Sequence, residues 1–239
     1  MGVGLVINSK PVHGRMHPEG GHACVSPLPN DTFMGYSWGK DKAPYHGKHT
    51  TEGIASSVAL LERLMNDRDD GTTSSNSKKT TYPSLLSSIN ENRDLLINIP
   101  DNNEIWDHAA NAIANLCVSV ILLTSIESIV LGGGIMKRKI LYDKIRHRVI
   151  EIINAYLDLP TVEDNGMNCF IREPTWDDAG LVGAFVLAET AYTTILETSS
   201  CGPNVQDNNG KNKDTFWKGF FAGACVALPL FFIFSVRRK

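Results

Sequence analysis

Short apolar runs open the chain, and helical spacing takes over further along. Residues 4–7 and 12–13 flank a polar Asn8-Ser9-Lys10-Pro11 turn, which predicts a hairpin. Residues 22–26 read as a further strand. Over 53–65, Ile54, Val58, Leu61 and Leu64 share one face of a predicted helix. A stronger pattern covers 106–124, with Ala110, Ile113, Ala114, Cys117, Val120, Ile121 and Thr124 at steps of three and four. Residues 129–131 form a short apolar strand running into Gly132-Gly133-Gly134, and a third helix follows near 137–156. A strand is expected at 169–171. The last globular helix is expected at 179–194, opened by Asp177 and Asp178 as N-cap candidates. This alternation is an α/β pattern.

The C-terminus departs from it. Residues 219–236 are 18 positions without a charge and without a polar face at helical spacing. Trp217 and Lys218 precede them, and Arg237, Arg238 and Lys239 follow. The run predicts a C-terminal transmembrane helix acting as a tail anchor, with the bulk of the protein in the cytosol. Basic residues on both flanks leave the orientation rule undecided, and the choice of membrane stays open. Residues 199–215 are small and polar, like a flexible stalk. Residues 67–81 are also of low complexity and read as an exposed insertion. The expected organisation is a globular region over 1–198, a stalk over 199–215 and an anchor over 216–239.

Composition narrows the classes. A net charge of −3 with 42% hydrophobic and 21% charged residues excludes a disordered tail, a collagen-like fibre and a strongly basic nucleic-acid binder. Cys24, Cys117, Cys169, Cys201 and Cys225 lie far apart with no CxxC spacing, which speaks for a reducing compartment rather than a disulfide framework.

Three constellations carry candidate chemistry. A strand, Gly132-Gly133-Gly134 and a helix start would let a ligand approach the backbone, with the helix N-terminus favouring anions; a tight structural turn fits the same residues. Glu19 and His22, with two glycines between them, could grip vicinal sugar hydroxyls, or simply form a polar turn. His46 and His49 could bind a metal together with His22, although histidines in a polar loop are more often solvated.

Taken in order, HGRMHPEGGH, PYHGKHTTEGIAS, IVLGGGIM and DDAGLVGA resemble the ROK sugar kinases, on the fructokinase branch, over roughly residues 2–191. The resemblance implies an actin-like, ribonuclease H-like α/β fold. It implies transfer of the γ-phosphate of Mg2+-ATP to a hexose, fructose preferred, giving fructose 6-phosphate. It assigns Glu19, His22 and Glu52 to the sugar. Gly132, Gly133, Gly134 and Met136 fall beside the adenosine of ATP, and Asp178, Gly180 and Gly183 have a mostly structural role. A homodimer is implied by the family alone, and no nucleic-acid partner is expected.

Two departures stand out. The family's zinc loop has Cys-x-x-His-x-x-Cys after a first His. Here His22 and His46 remain, Ala43 replaces the first Cys, and His49 or Thr50 the last. The expectation is zinc on His22, His46 and His49 with water in the fourth place, or no zinc at all. The family's Asp-x-Gly-x-Thr loop and Asn-Asp pair, whose Asp is the general base, are not in this chain. Asp107, Asp177 and Asp178 are not assigned as substitutes, so no catalytic base is named. The sequence therefore reads as an N-terminally incomplete fructokinase-like lobe. The alternative is a membrane-tethered pseudokinase that binds sugar without phosphorylating it. A ROK repressor is disfavoured by the acidic charge and the lack of a helix-turn-helix segment.

Overall fold

The computed structural model describes residues 1–8, 10–12, 19–36, 44–69, 96–160, 166–200 and 231–236. Residues 70–81 of the expected insertion, 201–215 of the stalk and 219–230 of the apolar run lie outside the described residues. Two compact units emerge: Met1–Glu173 with Leu230–Lys239, and Pro174–Pro229.

The first unit holds a five-stranded mixed sheet. A hairpin forms from β1 (Gly2–Ile7) and the short β2 (Lys10–Pro11), but its second strand falls on Lys10 and Pro11, which the sequence placed in the turn, rather than on residues 12–13. Next come two helices, α1 (Thr51–Ala55) and α2 (Ser57–Asp69), in place of the single helix expected over 53–65. The break is at Ser56, which is extended with ψ 153°. Apolar periodicity continues across it, so the pattern could not show it. The long helix α3 (Ile105–Thr124) lies within one residue of expectation. Asn103 accepts from the Ile105 N–H, and Ser125 closes the far end in the left-handed region at φ 50°. Strand β3 (Ser128–Leu131) leads through the three glycines to a 3-10 turn at Ile135–Lys137 and then to α4 (Ile140–Ile153). Around 169–171 the structure corrects the sequence reading. Cys169 belongs to α5 (Gly166–Phe170), and only Ile171 and Arg172 form the strand β4.

The core is helix on sheet. Ile105, Ile113 and Cys117 of α3 meet Leu141, Ile145 and Val149 of α4 and Ile129 and Leu131 of β3, all buried. Each such aliphatic side chain contributes roughly 1.5–3 kcal/mol on burial. α3 is the one helix among the described residues long and apolar enough to cross a membrane. Most of that apolar stretch is buried inside the protein, as in a core helix.

The end of the expected transmembrane helix takes another form. Phe231–Val236 is a strand, β5, in the middle of the sheet order β2-β1-β5-β3-β4. It runs parallel to β1, from Gly2 opposite Phe231 to Ile7 opposite Val236, and antiparallel to β3. The physical reason is twofold. Aromatic and β-branched residues suit a strand, and the ladder groups of β1 and β3 gain partners.

The second unit is described only as Pro174–Asp178 and α6 (Ala179–Ser200), which begins where expected. The Asp178 carbonyl accepts from the N–H groups of Leu181 and Val182.

Candidate functional site

The first candidate carboxylate heads a tight turn. Glu19 precedes a 3-10 turn at Gly20–His22, and its carbonyl accepts from the His22 N–H at 3.0 Å. The two glycines let this turn lie on β1. A Cβ on Gly20 would stand 2.4 Å from Val3 Cγ2, and one on Gly21 2.3 Å from the Met1 carbonyl oxygen.

Glu52 reaches the same place from another segment. It sits in the first turn of α1, which Thr50 caps by accepting from the Gly53 N–H at 3.0 Å. The Thr50 hydroxyl donates in turn to the Gly47 carbonyl at 3.0 Å. One Glu52 oxygen lies 3.5 Å from His22 Nε2, and the other pairs with the Met1 ammonium at 2.5 Å. Of the three sugar candidates, the structure brings His22 and Glu52 into contact and places Glu19 at the start of the His22 turn.

This segment is clamped on both sides. A U-shaped loop over residues 23–36 folds around residues 47–53. On one limb the Val25 N–H donates to His49 and the Thr51 N–H to the Ala23 carbonyl. On the other, the His49 N–H donates to Met34 and the Tyr36 N–H to Gly53, each at 2.6 Å. Glycines permit the crossing. A Cβ on Gly53 would come 2.0 Å from the Gly47 carbonyl oxygen, and Gly35, at φ 111°, faces that same oxygen.

At the bend of the U lies a cluster that sequence reasoning missed. Asp31 takes both guanidinium nitrogens of Arg63 from α2, each at 2.8 Å, and its Oδ2 lies 2.9 Å from His108 Nδ1 on α3. Arg63 also stacks over Phe33, 4.5 Å from the ring centroid. Burial alone would raise the Asp31 pKa, but hydrogen bonds from Arg63 and the Phe33 N–H, with the Arg63 charge, hold it below its ordinary value. Burial and the Arg63 charge lower the pKa of His108, against the pull of Asp31 and Glu104. No spacing rule joins residues so far apart in the chain. Deeper along α3, Asn111 fixes the U again, donating to the Ser26 carbonyl at 2.8 Å.

The expected zinc site does not assemble. Among the described residues, no three His, Cys, Asp or Glu side chains gather to hold a metal. His22 faces Glu52, while His46 is exposed at the end of a left-handed pair, Tyr45 at φ 54° and His46 at φ 55°. His49 serves the clamp through its backbone. Ala43 lies outside the described residues. The residues present do not fit zinc; Thr50 instead fastens Gly47 to Gly53 with its hydroxyl.

The glycine turn after β3 is built differently. Ile129 and Leu131 are fully buried, and the Tyr142 hydroxyl donates to the Leu131 carbonyl at 2.6 Å. Gly133 takes φ 107°, its carbonyl accepts from the Met136 N–H, and Met136 is buried. A Cβ on Gly134 would meet nothing within 4 Å, so the backbone there faces open space. That fits the close approach of a flat ligand such as a nucleoside. It does not fit an anion cradle at a helix start, because α4 begins only at Ile140. Arg138 pins the stretch between them, stacking 4.4 Å from the Trp106 ring centroid and donating to the Leu96 and Ile97 carbonyls. Of the carboxylates near α3, Asp107 is paired with Lys144.

Comparison with known proteins identifies the family. The model of the ROK family matches residues 1–191. A putative fructokinase of Bacillus subtilis (strain 168) is 27% identical over 191 residues, 80% of this chain and 52% of that protein. A fructokinase of Zymomonas mobilis is 28% identical over 191 residues, 80% of this chain and 51% of the relative. One of Streptococcus mutans is 27% identical over 164 residues, 69% and 45% of the two chains. The chain spans about half the length of the curated relatives it matches. By the extent of the family match, it belongs to the ROK family.

Proposed function

We propose that this chain carries the hexose-binding part of an ATP-dependent sugar kinase, with fructose as its preferred sugar. The contact between His22 and Glu52 carries the reading: two polar side chains from separate segments meet beside the Glu19 turn, held by a rigid backbone frame. Glu19 and Glu52 would accept hydroxyl protons, and the His22 ring would donate or accept. The open backbone at Gly134 and the turn closed by Met136 would receive the nucleoside side of ATP. Mg2+-ATP, when bound, supplies the phosphoryl group and neutralises its charge. What these residues contribute is position: the sugar is held by fixed groups, which lowers the entropic cost of reaction. Support for fructose in particular is the likeness to proteins named fructokinases.

The test is calorimetric titration of the full chain with fructose, glucose and mannose, beside a coupled ADP assay with Mg2+-ATP. Fructose should bind most tightly, and Glu52→Gln should weaken it at least tenfold. Absence of saturable hexose binding would overturn the reading. Binding without turnover would favour the pseudokinase alternative.

The charge-free run at 219–236 supports a second proposal, attachment to a membrane with the globular part in the cytosol. The six residues of β5 cannot lie in the sheet and in a bilayer at once. Retention of the chain in membranes after carbonate washing would favour attachment, and release would favour the strand.

A further inference from the structure

We infer that Asp31 is a positioning residue for the sugar site, acting on Glu52 through the U-shaped clamp. The inference rests on the sugar-site reading only for its functional consequence; the mechanical part stands on geometry alone. Asp31 lies at the bend, where its N–H donates to the Leu28 carbonyl at 3.1 Å and Asn30 takes a left-handed φ of 65°. The two limbs leaving this bend make the four backbone hydrogen bonds that hold residues 47–53. Moving the bend therefore changes the gap between the limbs, and with it the seat of α1 and Glu52.

Among the described residues, apolar anchoring of the U is uneven: Val25 on one limb joins the main core. On the other limb, Phe33 and Tyr36 belong to a small cluster with Val58 and Ala59, separate from the main core. The bend itself is fixed by charge. Asp31, with a side chain 3% exposed, bolts it to α2 through both Arg63 nitrogens and to α3 through His108. A carboxylate held by a bidentate guanidinium has a defined direction as well as a distance, which a single apolar contact lacks. Removing one partner leaves the Arg63 charge buried and uncompensated.

The experiment is residue-resolved amide hydrogen exchange on the full chain, wild type against Asp31→Asn. Exchange at the four clamp N–H groups, those of Val25, Tyr36, His49 and Thr51, should rise at least tenfold, while β3 and the centre of α3 change less than twofold. A uniform rise across the chain would overturn the inference, since it would mean general loss of stability. So would no change at these four amides. His108→Gln removes only the outer contact and should give a smaller rise at the same amides, which keeps the test available if Asp31→Asn does not fold. Fructose titration of the same variants reads the functional half. If the wild type binds fructose, Asp31→Asn should weaken binding at least tenfold, and an unchanged affinity would overturn the positioning role. If the wild type binds no hexose, the sugar reading fails while the exchange result still decides the clamp.

Discussion

The clamp around Glu52 and the glycine turn after β3 reach rigidity by opposite routes. Around Glu52 the frame is backbone on backbone, with Gly53 so close to the Gly47 carbonyl that no side chain fits. Phe33 and Tyr36 beside the bend sit in a small satellite cluster. Around Gly134 the order is reversed: the backbone is open to space, and precision comes from fully buried Ile129, Leu131 and Leu141. The first region spends its glycines on contact with itself. The second leaves a glycine free for contact with something else. Equal glycine content thus carries two different meanings, and only the local space tells them apart.

The sharpest way to break this comparison is to disturb the support of each region in turn. Gly53→Ala forces a methyl to within 2.0 Å of the Gly47 oxygen. It should cost about 4 kcal/mol in urea unfolding or abolish folding. Leu131→Ala probes the other support, a fully buried side chain under the open turn, and should cost about 3 kcal/mol by the same measurement.

A smaller effect separates the ionic bend from the apolar floor through pH. His108 holds its proton more weakly in the fold than its ordinary 6.5, so the unfolded chain takes up the proton first as pH falls. Stability should therefore decline as pH drops from about 6.5 towards the lower folded value. Asp31, lowered from 3.8, loses its contribution only further into acid. Glu62, whose burial raises its carboxyl, acts in the opposite sense in the acid range. The readout is therefore the difference in melting temperature between wild type and His108→Gln across pH 7 to 5 (about the range in which histidine titrates). The difference should shrink with acid, and a flat difference would remove His108 from the account. Gly134→Ala should be smallest of all, within about 0.5 kcal/mol of wild type, while weakening any nucleotide that contacts the backbone there. If Gly134→Ala and Gly53→Ala prove equally costly, the two regions are not built differently.

Local grammar carried much of this into the sequence. Regular apolar spacing marked α3, and N-cap candidates marked α6, each within a residue at its start, while the motif order singled out Glu19, His22 and Glu52, of which the structure brings His22 and Glu52 into contact. What stayed hidden depends on distant partners. The break at Ser56 interrupts no periodicity. Cys169 sits in a short apolar stretch that suits helix and strand alike, and packing of Met167 and Phe170 decides it. The three histidines share a motif, yet His22 turns to Glu52 and His46 to solvent. Asp31, Arg63 and His108 have no common spacing at all. For β5, apolarity alone does not separate a strand from a membrane span, and its pairing with β1 and β3 involves residues far away in the chain.

That last strand has a practical consequence for handling the protein. With β5 present the sheet is continuous; without it, β1–β2 and β3–β4 become two separate ribbons, each with a fresh open edge. Two-stranded ribbons are marginal alone, and bare edges pair with whatever strand comes near. Trimming the greasy tail to improve solubility would thus work against itself. The shortened protein should be the one that precipitates, through edge-to-edge stacking of its own copies.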